Sequence, residues 1–383
     1  MSERDALFQA VLDAPGDDAP RLVFADWLDE NGEPERAELI RVQIEAARTP
    51  VYEPRYDALN RRADALIAAH GAGWRLPNRR AGDQVFRRGF VEEVAVSWAD
   101  FQRLGDGLFR STPLRYARFD IHFFLELEGA GRALPTRLSG ADFGLLLPGD
   151  RSDWLGLAWP RLRWLKFRGT PDTVRELLQT VACPNLEALD LTGANAAAVV
   201  LDGFLRALRF DRLRAFALDA DPDPMTGIYA NKVRAGGARV LAECEGLATL
   251  TELHLANQAI GDAGLFHLAS SPHLSRLEQL HLRNNEIGTM SAQNIEDFCA
   301  SPYLTRLRVL DLSDNPLGPA GAQALSEWPG LRDLRLLDIS DCELTTDAGR
   351  SLARSPYWHD RLRVRAAGNR FDPALVFPTS ALA

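Results

Sequence analysis

Between Leu250 and Asn369, apolar and polar positions recur in a fixed phase. The segments are Leu250-Thr-Glu-Leu253-His-Leu255, Leu277-Glu-Gln-Leu280-His-Leu282, Leu307-Arg-Val-Leu310-Asp-Leu312 and Leu334-Arg-Leu-Leu337-Asp-Ile339. Their first leucines are 27, 30 and 27 residues apart (250 to 277, to 307, to 334). The last two apolar residues of each segment alternate, as a short strand with one buried face requires. Three positions on stands Gln258, Asn285, Asn315 or Cys342, where the chain turns inward and buried backbone groups need a partner. A glycine and a helical stretch follow, as in Gly261 to Ala269 and Gly318 to Leu325. Pro272, Pro302, Pro329 and Pro356 then end the helices, because proline cannot continue one. A single strand–helix unit cannot bury its own apolar face, so the pattern predicts stacked units.

Weaker copies carry the phase upstream. Leu213-Arg-Ala-Phe216-Ala-Leu218, Leu186-Glu-Ala-Leu189-Asp-Leu191, Leu162-Arg-Trp-Leu165-Lys-Phe167 and Leu114-Arg-Tyr-Ala117-Arg-Phe119 keep the alternation, and Gly89 to Val96 begins it. Residues 121–160 are hard to phase; Leu138-Ser-Gly-Ala141-Asp-Phe143, midway between Leu114 and Leu162, reads as a degenerate copy. The step from Leu213 to Leu250 is 37 residues. The excess falls in an Asp-Pro-rich insertion at residues 219–236, expected to project and to be more mobile than its neighbours.

The repeated L-x-x-L-x-L-x-x-N/C sentence resembles a leucine-rich repeat, and its length is similar to the ribonuclease-inhibitor-like subclass, in which each strand is followed by a full helix. The resemblance implies an α/β solenoid over residues 90–383, with a curved parallel sheet inside and helices outside. It also implies a protein partner bound on the concave face of the strands.

Before the repeats the period is helical. Ser2 caps a helix to about Ala14, a second runs from Pro20 to Leu28 and stops at Asn31-Gly32, and Pro34 opens a third carrying Leu39, Ile40 and Ile44. Trp27, between Phe24 and Leu28, is expected in the core. Asp17-Asp-Ala-Pro-Arg-Leu-Val-Phe-Ala-Asp-Trp-Leu-Asp-Glu-Asn-Gly-Glu-Pro-Glu-Arg-Ala-Glu-Leu-Ile-Arg-Val-Gln43 resembles the bacterial repeat-companion domain, a short α-helical module often placed ahead of leucine-rich repeats. The resemblance covers roughly the first 48 residues and implies architecture without chemistry. Residues 49–89 read as a helix from Tyr52 to His70 and a linker that caps the solenoid. The carboxylates of the module, such as Asp18, Asp26, Asp29 and Glu38, read as a solvated helical face.

Composition narrows the function. A net charge of -9 over 383 residues argues against a general nucleic-acid binder. The arginines and aromatics from Arg75 to Phe90 could touch phosphates, but read instead as exposed charges at a packed edge. No apolar run reaches the length of a bilayer span, so no membrane contact is expected. The start Met1-Ser-Glu-Arg-Asp lacks a basic segment with an apolar run behind it, and Cys183, Cys244, Cys299 and Cys342 form no C-x-x-C pair. Both point to a cytoplasmic protein with reduced thiols.

Catalytic signatures are missing. Neither Lys166 nor Lys232 follows the glycines of a phosphate-binding loop, and no zincin helix, nucleophile elbow or zinc-spaced Cys/His set is present. Asp219, Asp221 and Asp223 imitate half a calcium loop, but Pro224 and Ala230 stand where Gly and Glu belong. His254 and His281 occupy equivalent strand positions, about 5 Å apart; without a third ligand in the layer they read as a solvent-facing ladder. The chain is therefore expected to be no enzyme and to need no cofactor or metal.

Outward strand positions nominate Tyr116, Arg118, Trp164, Lys166, Arg168, His254, His281, Arg283, Asp311 and Asp338 for partner binding, since i and i+2 share one side of a strand. Their aromatic and basic N-terminal members favour a partner with an acidic patch. The alternative is a regulator of a GTPase or other enzyme acting in trans through an exposed arginine, Arg118, Arg168 or Arg283. Oligomeric state is not encoded in any of these signals.

Overall fold

The computed structural model describes residues 2–77, 80–119, 137–146, 159–169, 183–194, 197–207, 211–220, 232–289 and 293–382. The chain forms two compact units, one of residues 1–144 and 150–163, the other of residues 145–149 and 164–383.

In the first unit four helices precede the strands: α1 (Glu3–Asp13), α2 (Ala19–Glu30), α3 (Pro34–Arg48) and α4 (Pro54–His70). Ser2 caps α1 in a reciprocal capping box with Asp5. Pro20 and Pro34 sit in the first turns of α2 and α3, where the missing N–H costs nothing. Val11, Phe24, Leu28, Ala37, Ile40 and Ile44 close a core that also takes in Phe90. Trp27 lies at the rim of that core. Its ring stacks on Phe24, and its indole N–H donates to Glu3 at 3.2 Å. An indole keeps its N–H near water or a partner, and here the partner is at the surface.

The linker contains a strand that its sequence did not announce. β1 (Gln84–Arg87) pairs antiparallel with β2 (Phe90–Val96). Arg88 (φ 47°) and Gly89 (φ 85°) make the turn between them, the two left-handed residues a tight hairpin asks for. A Cβ on Gly89 would fall 2.1 Å from the Ile40 side chain, so α3 leaves no room for any other residue. α5 (Trp98–Ser111) leads to β3 (Tyr116–Phe119), which lies parallel to β2, and β4 (Gly140–Leu146) lies parallel to β3 with Ala117 opposite Ala141. The degenerate copy at Leu138–Phe143 is thus in register as a strand, while 120–136 and 147–158 lie outside the described residues.

Arg88 does not join the expected exposed edge. It turns inward and bonds Glu92, Asp18 and the carbonyls of Pro15 and Gly16. Glu92, only 1% exposed, also pairs with Arg21 at 2.8 Å and meets Arg115 at 3.7 Å. Burial pushes Arg21 down to about 10 against the pull of Glu92, so its guanidinium stays charged at neutral pH. The surface carboxylates of the module are paired as well: Asp26 and Asp29 with Arg41, Glu38 with Arg62, Asp18 with Arg48.

The second unit repeats strand and helix. Its strands are β5 (Trp164–Gly169), β6 (Ala188–Asp190), β7 (Ala215–Ala217), β8 (Glu252–His254), β9 (Gln279–His281), β10 (Val309–Asp311), β11 (Leu336–Asp338) and β12 (Arg363–Arg365). From β6 on, each lies parallel to the one before it. The helices are α6 (Ala198–Ala207), α7 (Arg234–Glu243), α8 (Gly261–Ala269), α9 (Gln293–Cys299), α10 (Gly318–Ser326) and α11 (Thr346–Ala353), each packed on the next. Leu253, Leu280, Leu310 and Leu337 are fully buried between strands and helices.

The amide ladder closes the turns. Asn285 is buried; its Oδ1 accepts from the N–H groups of Gln258 (3.0 Å) and Ile260 (3.3 Å), and its Nδ2 donates to the carbonyl of Leu255 at 2.7 Å. Asn315 does the same one repeat later, and Asn369 closes the turn of Cys342, whose thiol faces the carbonyl of Leu312. A second ladder runs at the helix ends: Ser271, Ser301 and Ser355, each before a proline, donate to carbonyls of Ala242, Ala269 and Ser326. Gly288 (φ 90°) follows Asn285 where a Cβ would meet the carbonyl of Pro316 at 2.7 Å. The insertion at 219–236 is described only at its ends, so residues 221–231, including Asp221 and Asp223 of the half calcium loop, lie outside the described residues.

Candidate functional site

In the second unit the outward column has one register. Lys166 stands opposite Asp190, then Ala217, His254, His281, Asp311, Asp338 and Arg365 follow strand by strand. Their neighbours along each strand are buried apolar residues, from Leu165 and Phe216 to Val364, so these side chains are the ones offered to solvent.

His254 and His281 stack face to face, ring centres 4.2 Å apart and planes within 7°. Glu252, not singled out from the sequence, stands beside the pair as a third possible donor. Two residues before His254 and on the same side of β8, its Oε1 lies 2.6 Å from His254 Nε2. The ligand atoms of Glu252, His254 and His281 lie within 4.8 Å of one another. The period-2 rule that placed His254 outward also placed Glu252 outward, and that was the available signal.

Carboxylates surround the pair. Asp311 approaches His281 Nδ1 at 3.9 Å, and Asp219 accepts from the Ala256 N–H at 2.6 Å. Burial disfavours the His254 imidazolium, but the Glu252 hydrogen bond and the charges of Glu252, Asp219 and Asp190 outweigh it and raise the ring's pKa above its ordinary value. The His254 bond in turn holds Glu252 below the usual carboxylate range. Burial raises Asp219, only partly offset by the Ala256 N–H and the two histidines. For Asp311 burial also works upward, but bonds from His281 and Ser313 win and lower it.

Asp311 and Asp338 have a structural task besides facing out. Each accepts from the N–H two residues on, Ser313 at 2.9 Å and Ser340 at 3.0 Å, as Asp190 does from Thr192 at 2.9 Å. The recurring Asp-x-Ser/Thr is therefore a turn device. The column lines an open concavity of about 790 Å³: His254, His281 and Asp311 share its wall with Asp219, Asp314, Asp341 and Glu343, and Arg283 is the one arginine among its lining residues.

Two of the cations nominated for a partner are engaged in ion pairs. Lys166 Nζ pairs with Asp190 at 2.8 Å, and Arg283 Nε donates to Asp314 at 2.6 Å. Trp164 is half-buried on β5, and the side chain of Arg168 lies outside the described residues. Tyr116 and Arg118 belong to the first unit. There Tyr116 lies between the guanidinium groups of Arg87 and Arg115, at 5.1 and 5.4 Å, and Arg118 reaches the Gly82 carbonyl at 3.4 Å.

Among the described residues no helix is long and apolar enough to cross a membrane. Comparison with curated proteins gave no match. A family model described as Leucine Rich repeat matches residues 303–326, which take in strand β10 and the whole of helix α10. The match supports leucine-rich repeats in the second unit.

Proposed function

We propose that this chain is a non-enzymatic recognition protein that binds a protein partner on the exposed, concave face of its repeat strands. The observation that carries this reading is the outward column from Lys166 to Arg365, held in one register by buried leucines and bordered by the acidic concavity. Leucine-rich repeats suggest a protein-interaction role, and a rigid face of this kind suits recognition. With Lys166 and Arg283 already neutralised by Asp190 and Asp314, the second unit favours a basic segment of the partner over an acidic one. A trans-acting arginine finds no support in Arg283, which is paired. By the same resemblance that links α1 to α3 with the repeat-companion module, we read those helices as its counterpart at the start of the repeats.

The test is a partner captured on the immobilised chain, purified and measured against Asp314→Asn, Asp341→Asn, Glu343→Gln. Asn tolerates the left-handed backbone at 314 and 341, so the triple change removes charge and keeps the fold. Association slows and its salt dependence flattens if the reading is right. A partner that binds the variant at an unchanged rate, with no protection of β8 to β11 from hydrogen exchange, overturns it.

A further inference from the structure

From the geometry of Glu252, His254 and His281 we infer a binding site for a first-row transition-metal ion, zinc foremost, on the outward face of β8 and β9. Two imidazoles and one carboxylate form a borderline nitrogen–oxygen set that suits zinc and leaves a fourth position open. Calcium and magnesium ask for oxygen ligands and are disfavoured by the two ring nitrogens.

The three donor atoms lie within 4.8 Å of one another, close enough for side-chain rotation to bring them round one ion. Tetrahedral zinc with bonds of about 2.0–2.1 Å keeps its ligand atoms about 3.3 Å apart. Glu252 and His254 now stand 2.6 Å apart across a hydrogen bond. The metal replaces the shared proton and opens that distance by about 0.7 Å on the same scale. The stacked rings, 4.2 Å apart, turn edges toward the ion while their strands keep register, His254 opposite His281. All three side chains are half-buried, so the ion is reachable from solvent but partly screened from it.

The surroundings favour a cation as well. Asp311, 3.9 Å from His281 Nδ1, is placed to orient that ring, the role carboxylates take behind metal-bound histidines. Asp219, its oxygen fixed by the Ala256 N–H, adds negative charge on the other side. The open fourth position is for water or for a donor atom brought by a bound protein. The site itself belongs to the isolated chain and does not depend on the partner proposed above.

The experiment is calorimetric titration of the full metal-free chain with zinc, repeated on His254→Ala, His281→Ala and Glu252→Gln, with cobalt absorption as a second readout. Wild type is expected to bind one equivalent. Each histidine variant loses more affinity than the roughly 10–100-fold that orienting groups contribute. Glu252→Gln keeps the side chain's shape, so weakened binding in a variant that melts like wild type reports the site and not the fold. Binding weakens in acid, because imidazoles must be neutral to ligate. Cobalt should show tetrahedral nitrogen–oxygen bands without thiolate charge transfer. No stoichiometric binding by wild type, unchanged affinity in both histidine variants, or a thiolate band pointing to the cysteines would each overturn the proposal.

Discussion

Asn315 shows how much one side chain does inside a repeat. Its amide serves five backbone groups: the N–H groups of Asn285 and Ile287 and the carbonyls of Leu282, Leu312 and Ser313. Each orphaned buried group costs roughly 1–3 kcal/mol, so Asn315→Leu should lower the urea midpoint by the equivalent of several kcal/mol. A variant melting like wild type would mean the groups find other partners. Cys342 fills the same slot as a weak donor, and it makes a pH prediction. Burial pushes its thiol, and that of Cys299, from 9.0 up to about 12. The folded chain therefore keeps protons that the unfolded chain releases. Stability from these thiols is complete below about pH 9 and is lost as pH rises from there towards about 12. At pH 8 the buried Cys342 thiol should react with a maleimide only as the chain unfolds; rapid labelling of it in the native protein would contradict its burial. At this scale the amide slot was legible, because backbone need and sequence period coincide. Glu252 was equally exposed to the period-2 rule, but its significance depends on a histidine in the next strand.

At the scale of elements, the hairpin of β1 and β2 depends on a buried charge cluster. Glu92 meets Arg21, Arg88 and Arg115, and Arg21 also donates to the carbonyls of Pro15 and Arg88. Glu92→Gln keeps size and hydrogen bonding but leaves three guanidinium groups near one another without their shared anion. Breaking a buried pair from one side costs about 3–5 kcal/mol, and that loss should be visible in the denaturation midpoint at neutral pH. A change below about 1 kcal/mol, the range of exposed pairs, would show that water reaches the cluster. Nothing in the local sequence announced this. Gln84–Arg87 is too short for a period, and Arg21 and Glu92 are 71 residues apart (92 minus 21). By contrast α1 to α4 were legible from caps, prolines and apolar spacing, all of which act within a turn or two. The Ser-Pro pairs at the helix ends were visible as punctuation only. Their hydroxyl ladder appears once each repeat is stacked on its predecessor.

For the whole molecule, period and packing part company at the N-terminal end. The leucine phase made the second unit legible strand by strand, including the outward column. It could not say whether the helical module is a separate bead, because nothing periodic links helices to strands. The packing of the first unit answers that. Phe90 of β2 lies in one core with Val11, Phe24, Leu28 and Ile40, its ring 5.9 Å from Phe8 and 6.0 Å from Phe24. Arg21 and Arg36 lie over the same ring at 5.1 Å, and α3 closes on Gly89 from behind. Deleting residues 1–89 therefore removes every partner of Phe90 in that core and one edge strand, and leaves Phe90 and Glu92 facing water beside an unpaired strand edge, a template for association. The truncated chain should melt earlier, bind a hydrophobic dye and elute as aggregates in size-exclusion chromatography, with the repeats of the second unit still giving helical circular dichroism. If it elutes as a stable monomer with an unchanged melting transition, the module is an independent domain and the core shared through Phe90 contributes nothing to the rest of its unit.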